Sequence, residues 1–586
     1  MTPVHFGECF GWLHLPPSGS RNLDAGVRSR AVVMCASLGR EATAIHRPWL
    51  LLADQIAAAG LPVLRFDYPG TADSTRDEGE PLCLADWVDS VKAATGWVKQ
   101  HTGASEIALC GIRAGGALAL MAAPRIDELA AIALLAPVTS WARFLREQEL
   151  LAGVFDTMWM VKHPVENAGW WEAAGLRLSR VMLDEMRAAS IRLDRPPARR
   201  ALILASEDSR SDRRLADRLS HLGTEATLEA FPGRASLMHD DLENSVPQGA
   251  FSRVVCWLRE GAPATPRYVR PQVPGCIMTM PKVRETVIRI GADERLFGML
   301  CEPREHAPSA AVMIFNTGAV PHYGQSRLAV TFARRLAHQG VASLRMDASG
   351  LGDSSPATGH ERKLFSDAWL DEARQGTEWL RNRIKGPLIL FGICSGGYAA
   401  LHLALGEPAV RGLVVANMQH FVHDETTPLR VQQRSTRSLR HYGRRLRSPA
   451  AWQRFVRGGI PFGNLMRAVA KTARDQIGSI EQRERRRMVT RWFEHLNARR
   501  VPVRIAYGPC DAGIDDLEKY FGPEGRLLKT YSNVKVGVVP NADHAFSHFP
   551  DREQLYAILL EVLAAAEALE PQAAWRDAEG ALEAAD

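Results

Sequence analysis

Several features that would place this chain in a special class are missing. No apolar run approaches the roughly 18–20 residues needed to cross a bilayer, and mean hydropathy is −0.16. The nine cysteines form no C-x-x-C pair and no metal-ligand spacing. That argues against a disulfide scaffold or a zinc module, and for a reducing compartment. Met1–Pro17 holds no basic stretch followed by an apolar core, so no secretory leader is read there and a cytoplasmic location is expected. No zinc finger, RNP-type motif or ladder of basic and aromatic residues appears, so nucleic acid is not an expected partner. Hydrophobic residues make up 46% and charged residues 24%, which excludes wholesale disorder.

What the chain does have is length. Its 586 residues suit two domains of about 270 residues better than one core. The sequence also repeats itself. Leu64-Arg-Phe-Asp67-Tyr-Pro-Gly-Thr-Ala-Asp73-Ser74 is matched by Leu344-Arg-Met-Asp347-Ala-Ser-Gly-Leu-Gly-Asp353-Ser354, 280 positions later. Arg47 and Arg327 keep that offset. Gly111-Ile-Arg113-Ala-Gly115-Gly116 faces Gly392-Ile-Cys394-Ser395-Gly396-Gly397 at an offset of 281. Three segments in the same order and register point to a duplicated domain rather than to a solenoid of short repeats. The expected units are residues 1–262 and 283–570, joined by a linker over 263–282 that contains Pro263, Pro266, Pro271, Pro274 and Pro281. Prolines so spaced disfavour helix and suit an extended connection. An acidic tail follows over 571–586.

Within each unit, apolar runs of strand length alternate with longer helical patterns. The first unit offers 31–34, 61–66, 107–109, 132–135 and 201–204; the second offers 310–315, 341–346, 387–391, 412–416 and 503–507. Such a pattern predicts an α/β fold, with a mostly parallel sheet covered on both faces in each unit.

Charge is segregated. The net value of +6 combines 19 Lys/Arg against four acids between Arg430 and Arg500 with a net deficit elsewhere. The stretch reads either as a solvated helical surface or as a docking face for an anionic substrate or carrier. Arg434 and Arg437 are its candidate substrate contacts.

The apolar run 387–391, the Gly-Ile-Cys-Ser-Gly-Gly turn and the helical pattern after it form a strand, a sharp turn and a helix. This is the context of a nucleophile elbow with cysteine in the central position. The frame puts Cys394 at the apex, with Ser395 as the alternative. Here the chain resembles the α/β-hydrolase superfamily over most of both units. Asp347–Ser354 is similar to the D-x-x-G-x-G-x-S loop of its serine aminopeptidase/esterase-like branch. The resemblance implies a nucleophile, acid, histidine order. It carries over Cys394 as nucleophile, Asp511 after the apolar run 501–507 as the orienting acid, and His544 in Asp543-His544 as the base. Asp515 and Asp516 are alternative acids. Oxyanion donors are expected from the amide of Ser395 and from Gly318 and Ala319. No cofactor is implied.

The resemblance further implies an enzyme acting on ester or thioester bonds. A cysteine nucleophile favours acyl transfer or thioester chemistry, with a dienelactone-type cysteine hydrolase as an alternative. A basic cap over a thiol suits a phosphate-bearing acyl donor such as coenzyme A or an acyl-carrier protein. In the first unit Arg113 occupies the apex, and a guanidinium cannot act as nucleophile. Asp208 and His239 look like remnants of acid and base. Arg113 either binds an anionic ligand or is structural, paired to Asp208 or another buried acid. Its G-x-R-x-G elbow resembles hydrolases associated with exosortase systems. A helical cap is expected in each unit; in the first it covers 137–197, rich in aromatics such as Trp141, Trp159, Trp170 and Trp171. The rival to the catalytic reading is a non-catalytic tandem scaffold in which both elbows are vestigial.

Overall fold

The apolar runs become central strands because each is buried on both faces, as in Arg30–Cys35, Glu106–Ile112 and Leu129–Leu135. A computed structural model describes residues 1–17, 29–77, 79–127, 129–167, 169–206, 209–238, 244–262, 277–357, 364–423 and 480–569. The first sheet runs, edge to edge, through Thr2–Phe6, Cys9–His14, Val63–Phe66, Arg30–Cys35, Glu106–Ile112, Leu129–Leu135, Arg200–Ala205 and Glu225–Ala230. The second repeats that order with Val283–Ile290, Leu296–Pro303, Val341–Met346, Ala310–Ile314, Leu388–Ile393, Val410–Ala416, Val503–Tyr507 and Val534–Val538, and adds Ile277–Thr279 at its edge. In each sheet the leading hairpin is antiparallel and the strands that follow are parallel. The two units are therefore tandem α/β sheets of one topology. Helices such as Leu84–Thr102 and Phe549–Glu567 cover the faces, and each buried Leu, Val or Phe in these layers is worth about 1.5–3 kcal/mol of burial.

The expected strands and helices lie where the periodicity placed them, and three features differ. Ile277–Thr279, inside the expected proline-rich linker, pairs antiparallel with 284–286. The first unit's cap is not purely helical. It holds helices Trp141–Trp159 and Arg180–Ala188 and a small antiparallel sheet of Glu166–Asn167, Trp170–Ala173 and Leu176–Ser179. Alternation of buried and half-buried residues along Trp170–Ala173 and Leu176–Ser179, joined by a two-residue Ala-Gly turn with positive φ at both positions, makes the hairpin. The third difference is the hairpin that opens each sheet, which the alternating apolar runs did not announce. Of the expected Arg-rich cap, residues 480–498 form one helix. Arg434, Arg437, Asp208, His239 and the acidic tail lie outside the described residues.

The repeated Asp-to-Ser loops form one contact between the two units. Arg345 Nη1 lies 2.7 Å from Asp73 Oδ1, and Arg65 Nη2 lies 2.7 Å from Asp353 Oδ1, so equivalent arginines reach equivalent aspartates across the interface. Arg47 donates to the carbonyls of Gly352 and Ser354, while Arg327 donates to those of Ala72 and Arg76. His322 joins the cluster by lying between Asp73 Oδ2 at 2.5 Å and Asp347 Oδ2 at 2.7 Å. Glu285 takes both Arg345 and Arg334. Trp12 meets Phe297 edge-on at 5.2 Å. Among the described residues no helix is long and apolar enough to cross a membrane.

Candidate active site

The turn between Leu388–Ile393 and the helix Ser395–Gly406 puts Cys394 at φ 53°, ψ −117°, a strained backbone that this tight turn over-determines. Small neighbours are obligatory. A Cβ on Gly392 would sit 2.1 Å from backbone atoms of Gly396, and one on Gly396 would sit 2.6 Å from the carbonyl of Asn316. Cys394 is half-buried, whereas Ser395 is completely buried. The thiol, not the hydroxyl, therefore faces the site.

The structure brings the three predicted residues together. Cys394 lies close enough to His544 for its side chain to act on the imidazole. His544 Nδ1 lies 2.5 Å from Asp511 Oδ2, and Asp511 Oδ1 accepts from the amide of Gly513 at 2.8 Å. Burial alone would lower the His544 imidazole, but Cys394 and Asp511 override it and raise it well above its usual range. Asp516, one of the alternative acids, instead accepts from the amide of Phe421 at 2.8 Å.

Sequence reasoning missed Asn417. This fully buried residue follows the strand Val410–Ala416 with φ 45°. Its Nδ2 donates to the carbonyls of Asp543 and His544, both at 2.9 Å, and its Oδ1 accepts from the amide of Gly508 at 2.7 Å. It thus ties the histidine loop to the loop that carries Asp511. An asparagine after a strand carries no sequence signal for that job.

The oxyanion expectation needs correction at Gly318. Its amide donates to Ser395 Oγ at 2.8 Å, so in this arrangement it is turned to a side chain. The Ser395 amide, at the first position of a helix, has no intrahelical acceptor. Ala319 is a half-buried residue in the same loop. Ser395→Ala is expected to retain turnover within about tenfold of the wild type, because it removes neither the thiol nor the helix-terminal amide; kcat/KM measured on both forms checks this.

Arg113 adopts the same elbow backbone, φ 51° and ψ −119°. Its Nε and Nη2 reach Glu41 at 3.1–3.3 Å and its Nη2 reaches Glu147 at 2.6 Å. Its Nε and Nη2 donors are met by these two acids, while Asp208 lies outside the described residues. Burial lowers its pKa, but Glu41 and Glu147 outweigh that and hold it fully charged. Arg113→Ala is expected to destabilise the first unit by about 1–3 kcal/mol, because two carboxylates lose their shared cation; denaturant unfolding measures it.

Two tandem sheets of this topology, each carrying a strand–turn–helix elbow, have the α/β-hydrolase fold. More narrowly, residues 307–514 match the family described as serine aminopeptidase, S33. No curated protein sequence matches the chain. Among solved structures, it is similar to Est1E from Butyrivibrio proteoclasticus with bound ferulic acid, at 16% identity over 44% of this chain and 98% of that one, TM-score 0.34. It is also similar to a dienelactone hydrolase from Anabaena variabilis, at 13% identity over 48% of this chain and 98% of that one, TM-score 0.30. A third is the mouse α/β hydrolase domain-containing protein 10, at 17% identity over 48% and 98%, TM-score 0.28.

Proposed function

We propose that the second unit transfers or hydrolyses acyl groups held in ester or thioester linkage, through an acyl-cysteine on Cys394. The observation that carries this reading is the closeness of Cys394 to His544, itself paired to Asp511. A histidine beside a cysteine thiol is the arrangement in which the imidazole takes the thiol proton as the sulfur attacks. The thiolate adds to the acyl carbonyl, and the tetrahedral oxyanion lies toward the Ser395 amide. The leaving alcohol or thiol takes the proton from His544. His544 then removes a proton from the incoming acceptor, which attacks the acyl-cysteine and releases Cys394. Asp511 holds the imidazole tautomer throughout.

Cysteine favours thioester donors and acyl transfer, because the intermediate is itself an activated acyl donor. Of such donors, coenzyme A or acyl-carrier thioesters suit the charge of the 430–500 stretch. The first unit is a pseudo-hydrolase on this reading, with Arg113 in the place of a nucleophile. The test is intact-protein mass spectrometry after mixing with acyl-CoA, acyl-carrier protein and simple esters. One acyl mass on the wild type that maps to Cys394 supports the proposal. No adduct and no turnover with any donor class would sink it.

A further inference from the structure

We infer that the first unit completes the active site of the second, with Trp159 as the positioning residue that fixes the His544 ring. The proposal rests on the acyl-cysteine reading above for its kinetic consequences, although the docking itself stands on geometry alone.

Trp159 ends the helix Trp141–Trp159 of the first unit's cap, where Met160 takes a left-handed conformation and stops the helix. The indole lies against the His544 imidazole with ring centroids 5.0 Å apart and planes 13° from parallel. The stack covers one face of the ring while Nδ1 serves Asp511 and Cys394 lies beside the imidazole. Turning the imidazole out of that plane would drive it into the indole. The Trp159 face thereby restricts rotation of the ring that pairs with Asp511 and neighbours Cys394.

Three more contacts bind the same stretch of the second unit to the same cap. His163 bonds Asp156 through Nδ1 at 2.7 Å and lies, through Nε2, 2.9 Å from the carbonyl of Asn541 and 3.1 Å from Asp551. Glu172 accepts from the amide of Phe549 at 3.0 and 3.1 Å, meeting a first-turn donor of the helix Phe549–Glu567, and from Arg552 at 3.1 Å. The Arg177 guanidinium lies 3.6 Å from the centroid of the Phe549 ring. Residues 541–552, which carry His544, are therefore gripped at four points by residues 159–177. From its own unit the histidine loop is tied by Asp511 and by Asn417, the latter through backbone carbonyls. A unit whose elbow carries arginine keeps a purpose here: its cap is the outer wall of the neighbouring site.

Two measurements test this on the full chain. At pH 6 an ordinary thiol is almost wholly protonated, so alkylation of Cys394 by iodoacetamide at that pH reports its pairing with His544. Trp159→Ala is expected to slow this alkylation at least fivefold and to lower kcat at least tenfold with KM within threefold, while Trp159→Phe, which keeps a flat ring, restores at least half of both. Separately, Glu172→Ala is expected to raise hydrogen–deuterium exchange in a peptide spanning 541–552 without raising it in the central strand Leu388–Ile393. If Trp159→Ala alkylates and turns over within twofold of the wild type, the positioning role is wrong. Unchanged exchange in Glu172→Ala would overturn the docking. A wild type that shows no alkylation at pH 6 and no acyl adduct defeats the acyl-cysteine reading instead, and the exchange measurement still decides the docking.

Discussion

Cys394→Ala is expected to lower kcat/KM by about 10⁴-fold or more, the scale on which loss of a covalent nucleophile is felt when base and acid remain. The reason is positional as well as chemical. Cys394 occupies the strained apex of the elbow, and its neighbour Ser395 is fully buried with its hydroxyl held by the amide of Gly318. Ser395 is therefore not placed to substitute. Cys394→Ser keeps a nucleophile at the same point but one that ionises far less readily, so its loss should be smaller than that of alanine and its adduct an ester instead of a thioester. Asp511→Asn should reduce turnover by about 10⁴-fold with little loss of stability, because the amide can still bond His544 Nδ1 but favours the wrong tautomer. Steady-state kinetics with an acyl donor, paired with intact mass, read all three. Full activity in Cys394→Ala together with loss in Ser395→Ala would overturn the assignment.

The second large effect falls on stability. Asp73 sits between Arg345 of the second unit at 2.7 Å and His322 at 2.5 Å, all three buried. Asp73→Ala removes the carboxylate and strands a buried guanidinium and imidazole, at a cost of about 3–5 kcal/mol in unfolding free energy. Asp73→Asn, which keeps an oxygen acceptor, should cost less. The cluster also sets a pH window. Burial alone would lower His322, but Asp73 and Asp347 raise it to about 10. Its contribution is complete below the unfolded histidine value near 6.5 and fades as pH rises through 10. Burial would raise Asp73, but His322 and Arg345 hold it well below the usual carboxylate range. That contribution is present above the unfolded value near 4 and fades as pH falls below it. Stability should therefore be flat between about pH 4 and 6.5 and fall on either side of that window, and Asp73→Ala should flatten both shoulders. Denaturant midpoints across pH check this.

The parts of the fold that were legible in the sequence are those governed by local chemistry. Fully apolar runs gave the central strands, and the glycine frame around Cys394 marked the elbow because only small residues fit where backbones approach to van der Waals contact. The spacing of Asp511 and His544 was legible through chain order. What remained hidden depends on partners distant in sequence. The paired loops 67–74 and 347–354 were visible as a repeat, yet nothing local in them says that Arg65 serves Asp353 and Arg345 serves Asp73. Asn417 acts through backbone carbonyls 126 and 127 positions away. Trp159 is one aromatic among many in its cap, with no periodicity that sets it apart. The hairpin at Ala174-Gly175 did carry a signal, a two-residue turn between alternating runs, which the aromatic content of the segment masked.

The exchange of arginines across equivalent loops has a further meaning. Reciprocal contacts of this kind are those of a two-fold symmetric dimer, here made between halves of one polypeptide. A free dimer loses its interface on dilution, because its folding is coupled to protomer concentration. Joining the protomers end to end replaces that concentration by a fixed local one set by the connection. The pairing then no longer depends on how much protein is present, and the two copies are free to diverge. One can surrender its nucleophile and the other can keep it, because neither has to be compatible with a copy of itself.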